Sequence, residues 1–260
     1  MPPSNKAIAR KKLVIFYVLD TSGSMVDEGK IGALNEAMRE TVTVLQEIAS
    51  KNADAEMQVA VMEFSSGARW ITDAPTFLED FYWDDLTAGG LTDIGDALHE
   101  LRTKMSRSTF LQSDTGYMVP IIIFMSDGYP TDSWEKELQK ITDEKTGNRW
   151  FKYSTKIAFA LGNDADVNML SKIVGTKEAV IQTNDLEDFK KMIKVVSVTS
   201  SLLNSVSQPT GGTGTSGVDI VKKVTGEESY PIPDPEPIPD PEPIPDPEPT
   251  EGSDEIPDKW

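Results

Sequence analysis

Residues 13–19 read LVIFYVL and residues 119–125 read VPIIIFM, two continuous apolar runs without a charged side chain. A strand that faces water on one side alternates apolar and polar residues. A continuous apolar run has to be covered on both sides. Between and after these runs the pattern changes period. Ile31, Leu34, Met38, Val42, Leu45 and Ile48 recur every three or four residues, which predicts an amphipathic helix of about 20 residues. Residues 92–105, 133–143 and 166–174 also read as helices, and a last helix carries Leu186, Phe189, Ile193, Val196 and Leu203 on one face. Further strands are expected at 57–64 (MQVAVMEF), 68–72 as a hairpin partner, 156–161 (KIAFAL) and 179–182. Alternating strands and helices imply a Rossmann-like three-layer α/β sandwich, a mostly parallel central sheet with helices on both faces.

In open sheets of this kind the functional crevice lies beyond the carboxyl ends of the strands, where strand order reverses. Each of the two apolar runs is followed by an aspartate, Asp20 and Asp127. The first opens DTSGSM, which adds the hydroxyls of Ser22 and Ser24, with Gly23 allowing a tight turn. A second segment, AGGLTDIGDAL (88–98), sets Thr92 on a glycine-rich loop before a helix. A third, FMSDGYPTD (124–132), holds Asp127 ahead of a turn. Singly, each has a plain alternative: an Asx turn, a helix N-cap, a turn aspartate. Together they bring two carboxylates and three hydroxyls to one rim of the sheet.

This triple resembles the metal-ion-dependent adhesion site (MIDAS) of the von Willebrand factor A (VWA) domain: an Asp-x-Ser-x-Ser motif, a Thr on a second loop and an Asp on a third. The matching positions are Asp20, Ser22, Ser24, Thr92 and Asp127, over a resemblance spanning about residues 12–203. It implies that Ser22, Ser24 and Thr92 touch a divalent ion directly, while Asp20 and Asp127 act largely through water. Mg2+ suits such an oxygen-only set, and Ca2+ or Mn2+ could take its place. Neutral direct ligands leave the ion's charge under-compensated, so a partner protein's carboxylate can complete its shell. Within the family, the soluble start and the segment SSGARWITDAP resemble the bacterial TerY-type proteins linked to tellurite resistance and stress response. That likeness implies kinase and phosphatase components as partners.

Charge and composition bear on the alternatives. The chain has 25 Lys+Arg against 43 Asp+Glu, a net charge of −18. Residues 204–260 hold 3 basic and 13 acidic residues, so over half the excess lies in about a fifth of the chain. An acidic balance argues against nucleic acid or an anionic membrane as partner. The absence of cysteine excludes disulfides, thiolate metal sites and Cys nucleophiles. The basic start, MPPSNKAIARKK, runs into an apolar stretch too short for a signal peptide or a membrane span, and a cytoplasmic protein is expected.

Enzyme readings fit poorly, and a non-catalytic module is expected. A haloacid-dehalogenase type of phosphoryl transfer needs a second acid where Ser22 stands. A response-regulator receiver wants an acidic pair near the first strand. The one histidine, His99, lies inside the helical run ALHELRTKM, and neither GxSxG nor a Walker A motif occurs. Asp93 is read as a helix-start charge or a supporter of the metal site, and Asp132 as the N-cap of the following helix. Trp70, Phe81, Tyr82 and Trp83 form either core or an aromatic rim.

Residues 1–11 are read as an extension, 12–204 as the folded domain, 205–230 as a flexible linker and 231–260 as an acidic proline-rich tail. PIPDPE occurs there three times in tandem, at 231–236, 237–242 and 243–248. Proline at this density forbids helix and central strand and favours an extended, disordered polyproline II segment, whose residues 231–249 could reach roughly 60 Å. It serves as a spacer or, ending in Trp260, as a linear recognition element and the main partner-binding part of a display scaffold.

Overall fold

The computed structural model describes residues 10–205 and 215–225. The PIPDPE repeats and Trp260 lie outside them. The first apolar run is β1 (Lys11–Asp20) and the second is β5 (Ile121–Ser126). With β2 (Ala55–Ser65), β6 (Thr155–Leu161) and β7 (Val180–Thr183) they form one parallel array. Strand order is β3-β2-β1-β5-β6-β7. Only β3 (Gly67–Trp70) and the two-residue β4 (Thr76–Phe77), both on β2, run antiparallel. The expected hairpin partner of β2 is therefore β3; β4 is too short to leave a sequence pattern.

Both flanks of β1 are buried, as its composition demands, and its side chains divide by parity. Leu13, Ile15, Tyr17 and Leu19 face a layer built by α1 (Lys30–Lys51), α6 (Leu186–Ser205) and α7 (Gly217–Thr225). Val14, Phe16 and Val18 face the layer of α2 (Ile94–Lys104), α3 (Trp134–Thr142), α4 (Arg149–Tyr153) and α5 (Val167–Val174). Each fully buried Leu, Ile or Phe contributes about 1.5–3 kcal/mol. One buried polar contact crosses the first layer: the Tyr17 hydroxyl donates to Ser197 Oγ at 2.8 Å.

Three departures from expectation have local causes. Residues 205–230 are expected as linker, yet α7 lies inside that range and buries Ile220 and Val221. It sits so close to β6 that a Cβ on Gly217 would collide with the Lys156 carbonyl, which explains a glycine at a helix start. α4, not predicted at all, is a single short turn capped by Asn148, whose side chain accepts from Phe151 N at 3.0 Å. The aromatic cluster divides. Trp70 stacks edge-on with Phe16 and Phe110, Phe81 and Trp83 pack on the opposite layer, and only Tyr82 is exposed. Among the described residues no helix is long and apolar enough to cross a membrane.

Candidate metal centre

Strand order reverses between β1 and β5, and the carboxyl ends of these two strands meet side by side. Leu19 pairs with Met125, which sets Asp20 next to Ser126. Ser126 Oγ donates to Asp20 Oδ2 at 2.6 Å, and the Ser22 amide donates to Asp20 Oδ1 at 2.8 Å in an Asx turn. Asp20 is fully buried. Burial is the main influence on its carboxyl and pushes the pKa upward, against the Ser126 and Ser22 hydrogen bonds, with the charge of Asp127 adding to the rise. A carboxylate kept in such a place calls for a positive neighbour.

The remaining oxygens follow in a chain. Ser22 Oγ lies 3.1 Å from Ser24 Oγ, and Ser24 Oγ donates to Asp127 Oδ1 at 2.7 Å. Asp127 is buried, and its other oxygen, Oδ2, accepts from Lys30 Nζ at 2.8 Å. The loop carrying Thr92 docks onto the first loop through its backbone. Gly89 N donates to the Thr21 carbonyl at 2.8 Å, and Gly23 N to the Gly90 carbonyl at 3.1 Å. Gly90 has a φ of +92°, and a Cβ there would come within 2.7 Å of Ser66 Oγ, so the approach requires glycine.

Thr92 is then held from the third loop: its amide donates to Thr131 Oγ1 at 2.9 Å and its carbonyl accepts from Thr131 N at 3.0 Å. Its own hydroxyl has no hydrogen-bond partner among the described residues, and although most of Thr92 is buried, that oxygen stays open to solvent. It is not the helix cap; Asp93 takes the N-cap position of α2.

Of the five sequence-expected residues, Asp20 closes β1 and the other four lie on the loops tied together at the carboxyl ends of the strands. Neighbouring acids have other duties. Asp93 accepts from Gly67 N at 3.0 Å and from Thr131 Oγ1 at 2.8 Å, bracing the loops. Asp132 does not cap the helix that follows it. Its Oδ2 accepts from Asp96 N at 3.2 Å, at the start of α2, and Gly95 is needed there because a Cβ would meet that same oxygen. The sequence reading missed Ser126 and Lys30. Ser126 adjoins Asp127 and could have been found by its place at the end of an apolar strand. Lys30 carries no local sign of its partner 97 residues away.

Chemically, the rim presents oxygen donors only. Among the described residues no group of three or more His, Asp or Glu side chains gathers as a metal cluster, so an ion held here depends on hydroxyls as much as on carboxylates. The same three loops carry Val26, Leu91 and Tyr129, one on each and each more than half exposed. They are half of the large apolar side chains exposed among the described residues.

The profile of the von Willebrand factor type A domain matches residues 15–195. Among solved structures, proximal thread matrix protein 1 from the mussel byssus superposes with a TM-score of 0.52 at 21% identity, over 72% of this chain and 48% of that one. A second structure of the mussel protein, described with a zinc-occupied MIDAS motif, gives 0.51 at 19% identity, over 72% and 45%. The pilus adhesin SpaC of Lactobacillus rhamnosus GG, in its open conformation, gives 0.52 at 14% identity, over 82% and 30%. At these identities the likeness is one of fold, and the chain spans less than half the length of these relatives. No curated protein matches the sequence.

Proposed function

The chain belongs to the von Willebrand factor type A domain family, and from that premise we propose that its three loops hold a divalent cation, Mg2+ first, through which it grips a carboxylate of a partner protein. Ser22, Ser24 and Thr92 would be the direct ligands, and Asp20 and Asp127 would act largely through water. The observation that carries this reading is the gathering of the Ser22 and Ser24 hydroxyls, and of a Thr92 hydroxyl that makes no hydrogen bond among the described residues, on the same rim as two buried aspartates. The donor set is all oxygen, the chemistry that hard cations prefer, and Mn2+ or Ca2+ would be accepted as well.

The surroundings support a protein as partner. A small anion would need only the ion, whereas Val26, Leu91 and Tyr129 offer apolar surface on the same three loops. The partner would present an Asp or Glu flanked by apolar side chains. The function is binding rather than catalysis, in a cytoplasmic setting. The TerY-type wording of SSGARWITDAP extends the reading to a stress or tellurite-resistance system with kinase and phosphatase components. A pull-down with Mg2+ or EDTA, using the native chain, Asp20→Ala and Thr92→Ala, tests it. Capture should require the ion and be lost in both variants; capture indifferent to all three would overturn the reading.

A further inference from the structure

Lys30 and Asp127 form the one ion pair among the described residues that is buried at both ends, with Nζ 2.8 Å from Oδ2. Burying two charges is costly even when they are paired. Lys30 is also the first residue of α1, where the positive end of the helix dipole disfavours a cation. Gly162, whose φ of +93° itself calls for glycine, lies beside the ammonium: a Cβ there would sit 3.6 Å from Nζ, at ordinary contact distance. A merely structural tie between α1 and the β5 loop would be better made by a neutral donor.

The placement matters because of formal charge. Asp20 and Asp127 bring two formal negative charges to the rim, which a divalent ion would only balance, so its pull on an outside carboxylate would rest on its neutral direct ligands alone. Lys30 adds one positive charge in contact with Asp127. The loaded rim then keeps one net positive charge.

We propose that Lys30 is a built-in counter-cation that weakens the site's hold on its divalent ion and strengthens that ion's hold on an external carboxylate. The proposal rests on the metal reading above and assigns Lys30 a positioning and specificity role; it is not itself a metal ligand. Removing its charge therefore changes two affinities in opposite directions. A residue that only braces the fold would weaken both.

The test is a Mn2+ titration of the full chain, native and with Lys30→Met, Lys30→Gln and Lys30→Arg, followed by acetate titration of each loaded protein. Circular dichroism selects the neutral variant that keeps the fold. That variant should bind Mn2+ about tenfold or more tighter and acetate correspondingly more weakly, whereas Lys30→Arg should behave as the native chain. Equal or weaker Mn2+ binding in the neutral variant overturns the role of Lys30 and leaves the metal reading standing. No Mn2+ binding in any chain overturns both. Binding in the neutral variant alone upholds the role of Lys30 and overturns metal dependence in the native protein.

Discussion

Ser126 Oγ and Asp20 Oδ2, 2.6 Å apart, join the ends of the two central strands where strand order reverses. Asp20 is thereby fixed in a fully buried position whose main effect is to disfavour its charge. A residue kept there at a cost to the fold is kept for something other than the fold.

Asp20→Asn keeps the shape and removes the buried charge. The raised carboxyl pKa means that, without metal, stability falls as pH rises through the interval between the unfolded and folded values, so the charge is a burden at neutral pH. In EDTA the variant should melt at the native temperature or a few degrees higher, by about 2–4 °C. In Mg2+ it should show no gain, whereas the native chain should. A variant that melts well below native in EDTA contradicts this account of Asp20.

Tyr17→Phe leaves the buried Ser197 Oγ without its donor. The expected loss is about 1–2 kcal/mol in chemical denaturation. Ser197→Ala should cost a similar amount, and the double variant should cost less than the two singles added. Strict additivity would show that the two hydroxyls do not act together.

Burial pulls the Lys156 ammonium down to about 8, from an ordinary value of 10.5. Between those values the unfolded chain holds a proton that the folded chain has released, so this residue makes stability rise with pH across the window. Lys156→Met should lack that contribution. Compared with the variant, the native chain should therefore gain stability from pH 8 to 10, and parallel pH profiles would refute the effect.

Cutting the chain after residue 230 removes the PIPDPE repeats and leaves every residue of the rim. Mn2+ affinity at physiological ionic strength, where exposed charges are screened beyond about 8 Å, should stay within about twofold of native. Loss of partner capture with intact Mn2+ binding would assign partner recognition to the tail.

The layers and the five rim residues were legible in the sequence because each leaves a local trace. β1 and β5 are unbroken apolar runs, and Asp20 and Asp127 end or follow them. What escaped was set by tertiary contact. Lys30 finds its partner 97 residues away. Asp132 obeys a local capping rule in sequence but serves α2 in space. α7 is short, follows a run of Gly, Thr and Ser, and depends on docking Ile220 and Val221. The aromatics 70, 81, 82 and 83 are neighbours in the chain and are dispersed by β3 and the turns after it.

The most direct test of the central claim is anomalous diffraction from crystals of the native chain grown with Mn2+. The account predicts a single strong peak within bonding distance of Ser22 Oγ, Ser24 Oγ and Thr92 Oγ1, absent in Thr92→Val. No peak there, or an ion bound elsewhere with those hydroxyls untouched, would contradict it.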